Sequence, residues 1–344
     1  MTEPRSALRE LTVARLRLFF REPSTVFWAF GFPLLLTVAL GIAFRNRPPE
    51  PAVVAIEDGP GAERVLARIA SPLVRARVED SATAARELRS GKVALVIVPG
   101  EPTSYRYDET RPEARLARVL VNDLLQRAAG RSDAVSVRDE RVTEVGARYI
   151  DFLVPGLVGL NLMSSGMWGI GYAIVEMRTK KLVKRLLATP MRRSDFLLSF
   201  VIMRALFVAI EVPVLFGFGW IAFGVRVVGS PLLLLALCFL GASTFGGIGL
   251  LVASRAQNTQ TIGGLMNLVM MPMFIASGVF FSTSNFPDGM QPFLRAMPLT
   301  ALNDALRAVA NDGAALHDVW RPALVLGSWA ALSYAAAFKL FRWL

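Results

Sequence analysis

Long uncharged stretches constrain this chain more than any other feature of its sequence. Several apolar runs reach or exceed the roughly 18 residues that a helix needs to cross a bilayer. Hydrophobic residues make up 53% of the chain and charged residues only 19%, a balance that favours lipid over water around most side chains. We therefore predict an α-helical polytopic membrane protein.

Six segments are apolar enough to be transmembrane helices. They are residues 26–44, 152–175, 205–225, 232–254, 259–281 and 322–338. Pro155, Pro213 and Pro272 lie inside these segments, where neighbouring helices can satisfy the backbone groups that a proline kink frees. The only cysteine, Cys238, lies in an apolar run, so the chain can build neither a disulfide framework nor a cysteine-based metal site.

Residues 45–148 differ sharply in composition, with frequent charges and short β-type runs. The predicted strands are 52–58, 92–99 and 103–107. Helical patterns lie between and after them, with Ser81 as a predicted N-cap and Gly91 as a predicted C-cap. The segment is predicted to be an inserted α/β domain of about one hundred residues, within the usual size of a single domain.

Basic residues near the ends of the predicted spans set the orientation. They concentrate in the N-terminal segment 1–25, in the loop 176–200 and after the last span. In a six-span arrangement these regions share one side, which is then the cytoplasm and holds both termini. The domain at 45–148 and the segment 282–320 fall outside, because long translocated loops escape the charge rule. Membrane orientation thus accounts for the formal charge of +11, and we expect no nucleic-acid partner.

The N-terminal segment has the pattern of an amphipathic helix. On a helical projection Leu8, Leu11, Leu18 and Phe19 fall on one side, and the residues opposite them are Arg9, Glu10, Arg17 and Arg21. Such a helix lies on the membrane surface, so lipids are expected partners.

The loop 176–200 is strongly basic and begins with EMRTKKLVKRLLATP. On a helical projection Leu182, Val183, Leu186 and Leu187 occupy one arc and the cations another, and Pro190 ends the helix. Two interpretations remain open. The loop is a basic interfacial helix on acidic lipids, or it is a docking element on which a soluble partner acts.

This order of features resembles the membrane subunits of ABC-2 type exporters along essentially the whole chain. The resemblance rests on REPSTVFWAFGFPLLL after the N-terminal helix, on the large external insertion and on the loop pattern E-x-R-x-K-K-L-x-K-R-L-L-A-T-P. It also rests on MPLTALNDALR at 297–307, within the segment 282–320 that is predicted to form an external re-entrant hairpin and a surface helix. Family members carry a glycine in the loop where this chain has Lys180 or Lys181. The ATPase-coupling residues implied by the resemblance are Glu176, Arg178, Lys180, Lys181, Leu182, Lys184, Arg185, Leu186, Leu187, Thr189 and Pro190.

The resemblance further implies a second permease copy, a soluble ABC ATPase subunit and a location in a bacterial cytoplasmic (inner) membrane. A phosphate-binding loop needs GxxxxGK followed by Ser or Thr. The only Gly-Lys pair, Gly91-Lys92, is followed by Val93. We therefore expect no cofactor in this chain, with ATP and Mg²⁺ bound by the partner ATPase.

Few polar groups lie inside the predicted spans. Glu211 is the only carboxylate there, and the only histidine, His317, lies outside, which is a poor basis for a proton relay. Glu211 either has a structural role, such as pairing with Arg204 two turns earlier, or belongs to the translocation pathway. The other pathway candidates, which can equally bond between helices, are Asn161, Ser164, Ser165 and Asn267.

The predicted function is that of a permease half-transporter, which exports an amphiphilic drug, antibiotic, lipid or polysaccharide-like substrate. The alternative is a membrane-anchored receptor or tether whose external α/β domain binds an envelope component. An enzymatic function is not expected, because the external domain has neither histidine nor cysteine and no catalytic constellation stands out.

Overall fold

The computed structural model describes residues 7–43, 51–132, 135, 148–188, 193–280 and 282–340. The chain divides into two compact units, one formed by residues 46–141 and the other by the residues before and after it. Each unit has its own hydrophobic core.

The unit at 46–141 is an α/β sandwich around a four-stranded sheet. Its strands and helices are β1 (Ala52–Glu57), α4 (Ala62–Arg68), β2 (Val74–Glu79), α5 (Ser81–Ser90), β3 (Leu95–Val98), β4 (Ser104–Arg106) and α6 (Pro112–Ala128). The strand order is β2-β1-β3-β4; β1 is parallel to both its neighbours, and β4 is antiparallel to β3. Helices α4 and α5 make the crossovers that parallel strands require. β1, β3 and β4 lie within the predicted strand segments, whereas β2 was not predicted.

The start of α5 corrects one sequence prediction. Asp80, not Ser81, is the N-cap, because its carboxylate accepts the backbone N–H groups of Ala82 and Thr83, each at 3.0 Å. A hydrogen bond from the Thr83 side chain, together with these backbone hydrogen bonds, lowers the pKa of Asp80. Gly91 ends the helix with φ of 74°, as its predicted capping role requires.

The other unit is helical. Its helices are α1 (Ala7–Arg21), α2 (Pro23–Val26), α3 (Phe32–Ala43), α7 (Tyr149–Gly166), α8 (Ala173–Thr179), α9 (Leu182–Leu187), α10 (Arg193–Phe223), α11 (Pro231–Ala253), α12 (Thr259–Ala276), α13 (Gln291–Ala296), α14 (Pro298–Asp312) and α15 (Trp320–Leu340). Two π-helical segments, Phe27–Gly31 and Met167–Tyr172, join α2 to α3 and α7 to α8.

Among the described residues, five helices are long and apolar enough to cross a membrane. They are Tyr149–Thr179, Leu198–Phe223, Pro231–Ala253, Thr259–Ala276 and Trp320–Leu340. Each overlaps one predicted span. The first predicted span, 26–44, is divided among α2, a π-helical segment and α3, and α3 alone has only 12 residues, too few to cross. A sixth span at 26–44 stays a prediction.

α14 lies inside the helical unit. Leu299, Leu302 and Leu306 are fully buried, and the helix packs against α7, α11 and α15. Arg307 fixes its far end: Nε donates to Phe152 O at 3.0 Å and Nη2 to Gly278 O at 2.6 Å. The motif at 297–307 is therefore a core element of this unit.

Glycine makes the close approach of α7 and α14 possible. A β-carbon at Gly159 would collide with the side-chain amide of Asn303. We expect Gly159→Ala to destabilise the unit by about 1 to 3 kcal/mol, the usual effect of overpacking. Thermal unfolding of the detergent-purified protein measures this, with Gly169→Ala as the control because a β-carbon there meets nothing within 4 Å. Equal melting temperatures for the two variants would contradict the prediction.

Candidate functional site

The loop predicted at 176–200, called the coupling loop below, contains a sharp turn between two helices. α8 ends at Thr179, α9 begins at Leu182, and Lys181 between them has φ of 58°. Lys181 is the one residue other than glycine with positive φ in the described part of the chain. Residues after helix C-termini often adopt this left-handed conformation, and glycine is favoured there. Lys181 thus occupies the conformation that suits the glycine of other family members.

The loop is also shorter than predicted. α10 begins at Arg193, so residues 193–200, which were predicted to belong to the loop, already form the start of this long helix. Asp195 in the first turn of α10 favours this start, since carboxylates stabilise helix N-termini.

One buried side chain anchors α9 to the rest of the unit. Val183 packs with Ile174, Phe196 and Phe200 in a small apolar cluster. Leu182, which the helical projection placed on the apolar arc with Val183, is 37% exposed. Lys184 and Arg185 are exposed. Val183 therefore holds α9 against the rest of the unit, and two cations of the helix face outward.

Other predicted coupling residues bond within the chain. Lys180 Nζ lies 2.8 Å from Glu176 Oε1, and this carboxylate raises the pKa of Lys180. The guanidinium of Arg178 points towards the end of α11 and does not add to the outward cationic surface of α9. Leu186 and Leu187 belong to α9. Thr189 and Pro190 lie outside the described residues.

The backbone at Lys181 yields a stability prediction. A left-handed conformation costs a non-glycine residue roughly 1 to 2 kcal/mol. Glycine avoids this cost, but it loses more conformational freedom on folding, which offsets part of the gain in stability. We expect Lys181→Gly to be neutral or stabilising by up to about 1 kcal/mol. The control Lys184→Gly, inside α9, should destabilise by about 1 kcal/mol. Hydrogen exchange of the 176–188 segment distinguishes the two, and lower protection in Lys181→Gly would contradict the prediction.

The N-terminal helix joins this region through an arginine. Arg15 of α1 donates from Nε to Ser199 Oγ at 3.0 Å, and its Cζ lies 3.4 Å from the ring centroid of Phe200. Burial lowers the pKa of Arg15 to about 10, which leaves it protonated at neutral pH. Leu18, which the helical projection placed on the apolar side of α1, is 62% exposed. The face of α1 turned towards α10 is therefore the one that carries Arg15.

A buried polar network links α7 to α10. Glu211 Oε2 lies 3.0 Å from Arg204 Nη1, and both residues are buried. Asn161 Nδ2 donates to Glu211 Oε1, and Arg204 Nη2 donates to Leu162 O. The charge pair is thus accompanied by two further hydrogen bonds, which help to offset the cost of burying it, while Arg204 Nε has no hydrogen-bond partner among the described residues. The geometry supports the structural interpretation of Glu211.

The remaining pathway candidates do not form one site. Ser165 Oγ donates to Asn161 O within α7, and Ser164 is half-buried. Asn267 lies on the exposed side of α12, in an open apolar groove of about 490 Å³. The groove is lined by Gly264, Asn267, Leu268, Met271, Pro272 and Ile275. Asn267 therefore belongs to a different surface from Asn161 and Glu211.

Comparison with known families decides what kind of protein has this architecture. The model of the family described as "ABC-2 family transporter protein" matches residues 23–339, nearly the whole chain. The chain belongs to the ABC-2 transporter family. Its members are membrane transport subunits that work with a soluble ATPase.

Curated relatives of this ABC-2 protein are similar over about half of its length. Nodulation protein J of Bradyrhizobium diazoefficiens is 28% identical over 57% of this chain and 75% of its own. The linearmycin resistance permease protein LnrN of Bacillus subtilis is 25% identical over 51% of this chain and 46% of its own. The probable multidrug ABC transporter permease YbhR of Escherichia coli is 22% identical over 56% of this chain and 53% of its own. The chain thus spans about half the length of the last two.

Proposed function

We propose that this protein is the permease subunit of an ATP-binding cassette exporter, driven by a separate ATPase subunit and acting on an amphiphilic substrate. Membership of the ABC-2 family supports the transport role. The names of two relatives, a linearmycin resistance permease and a probable multidrug permease, favour a drug-like or antibiotic-like substrate over the other candidates.

The observation that carries the proposal is the geometry of α9. Val183 fixes the helix to the bundle, and the Lys180–Lys181 turn sets it off from α8. The exposed Lys184 and Arg185 then form a basic surface on a helix that Val183 fixes to the bundle. A surface of this kind fits an acidic rim on a soluble partner, because complementary charges guide and orient association.

The exposed surface of α12 supports a second permease copy as partner. Leu268 is 71% exposed, Met271 56% and Ile275 55%, and they share their helix face with Asn267 in the open groove. A helix facing only lipid gains nothing from a polar side chain. In the proposed homodimer, this face of α12 meets the other copy and borders the translocation pathway.

The proposed location is a bacterial cytoplasmic membrane, with six spans and both termini in the cytoplasm. The positive-inside rule supports this orientation, because α9 and the N-terminal helix both carry basic residues next to span ends. The α/β unit then lies outside the cytoplasm.

Purification of the native complex tests the proposal. The protein is extracted from its own membrane in mild detergent, and mass spectrometry identifies every chain recovered in comparable amount. We expect a soluble subunit with a phosphate-binding loop. Recovery of the permease alone, with no ATPase captured by crosslinking before extraction, would overturn the proposal in favour of a receptor or tether.

A further inference from the structure

Arg178 connects the coupling loop to the turn between α11 and α12. We propose that Arg178 is a positioning residue that transmits movement of α9 to the start of α12. The inference rests on the proposed function, because it assigns Arg178 a part in the coupling between ATPase and permease.

Arg178, in α8, makes contacts with the end of α11 and with the turn that follows it. Its Nη1 donates to Ala253 O at 3.3 Å and to Ala256 O at 3.0 Å. Ala253 is the last residue of α11, and Ala256 lies in the short turn before α12. Asn258 ends that turn and caps α12 by accepting the N–H of Thr261 at 2.7 Å. One guanidinium thus bonds both to the end of α11 and to the turn before α12.

The chemistry of these contacts favours arginine specifically. The last carbonyl groups of a helix have no partner within the helix and carry a partial negative charge. A half-buried guanidinium can satisfy such a group, and here the two hydrogens of one planar nitrogen, Nη1, reach Ala253 O at the helix end and Ala256 O in the turn. A lysine supplies the charge from a single ammonium and does not reproduce the planar arrangement.

Other arginines cap helix ends in the same way but far from the coupling loop. Arg148 donates from Nη1 to Phe223 O at 3.0 Å and from Nη2 to Gly224 O at 3.2 Å, at the end of α10. Arg307 binds Gly278 O just after α12. Arg178 differs because it lies three residues before Lys181, where the chain turns into α9. Its contacts therefore join the end of α8, next to the start of α9, to the turn between α11 and α12.

α12 is suited to respond to such a movement. Most of its surface is exposed, and the groove around Asn267 and Pro272 lies along it. When the ATPase displaces α9, the end of α8 moves with it, and Arg178 carries the carbonyls of Ala253 and Ala256 along. The start of α12, and hence the groove, then changes position without any direct contact with the ATPase.

Hydrogen exchange of the purified permease–ATPase complex tests this role without knowledge of the substrate. Exchange is compared without nucleotide and with ATP plus vanadate, in wild type, Arg178→Ala, Arg178→Lys and the control Arg255→Ala. Arg255 lies in the same turn, but its side chain is exposed. In wild type and in Arg255→Ala we expect nucleotide to change exchange both in α9 and in residues 253–259. In Arg178→Ala the change in α9 persists and the change at 253–259 is lost, and Arg178→Lys recovers part of it.

The outcomes separate this inference from the proposed function. Should nucleotide still change exchange at 253–259 in Arg178→Ala, or leave that turn unchanged in wild type while α9 responds, the role of Arg178 is wrong and the exporter proposal stands. A wild-type preparation without any ATPase chain overturns both. If Arg178→Ala does not yield a folded complex, Arg178→Lys decides: a full wild-type response at the turn contradicts the need for a guanidinium, and a reduced one supports it.

Discussion

Replacement of Glu211 by leucine is expected to lower the free energy of unfolding of the helical unit by about 3 to 5 kcal/mol, the usual cost of breaking a buried ion pair. The substitution leaves the guanidinium of Arg204, which is 8% exposed, without its carboxylate partner. It also removes the acceptor of the Asn161 amide. A lower melting temperature of the detergent-purified protein is the measured result.

The double variant Arg204→Met/Glu211→Leu is the matched control. It removes both charges and fills similar volume with apolar groups, an exchange that is often neutral for buried pairs. We expect its melting temperature to recover most of the loss. If Glu211→Leu alone leaves the melting temperature unchanged, the network does not stabilise the contact between α7 and α10. If the double variant retains stability but loses transport, the pathway interpretation of Glu211 regains support.

Much of the helical architecture was predictable because lipid imposes a simple rule. A spanning helix needs a predominantly apolar run of minimum length, and the five long apolar helices all overlap predicted segments. β2 was missed for the opposite reason. In VRARVE the apolar residues alternate with charged ones, and the short run lacks the continuous apolar character by which the other strands were recognised. Alternation alone was the signal that could have found it.

The details of the site were less predictable, because a helical projection shows on which side a cation lies but not which groups it contacts. Arg15 stacks on Phe200, and Arg178 binds backbone carbonyls. A guanidinium can be buried in this way, since planar stacking and multiple donors compensate for its lost hydration. The left-handed backbone at Lys181 is equally invisible to composition. The one sequence signal for this conformation was the glycine that other family members carry at the same place in the loop.

Reversal of the two outward charges of α9 should have the largest effect on function. In the Lys184→Glu/Arg185→Glu variant, carboxylates replace the cations that we propose face an acidic rim on the ATPase. Like charges brought together at an interface cost several kcal/mol, and each 1.4 kcal/mol is about a tenfold loss of affinity. We therefore expect at least about tenfold weaker recovery of the ATPase with the permease, measured by quantitative co-purification. Lys181 is unsuitable for this test, because its substitution also changes the left-handed turn.

The matched control, Arg255→Glu/Lys339→Glu, reverses two exposed charges that the positive-inside orientation places on the same side of the membrane but that do not belong to α9. It controls for effects on membrane orientation and on binding to acidic lipids, which depend on basic residues in general. Docking through α9 predicts that the control variant retains the ATPase and that the α9 variant loses it. Equal losses would identify α9 as an ordinary basic interfacial helix, and full recovery in both variants would place the ATPase contact elsewhere on the protein. Only a loss of ATPase recovery that is confined to the α9 variant is consistent with α9 as the helix to which the ATPase binds.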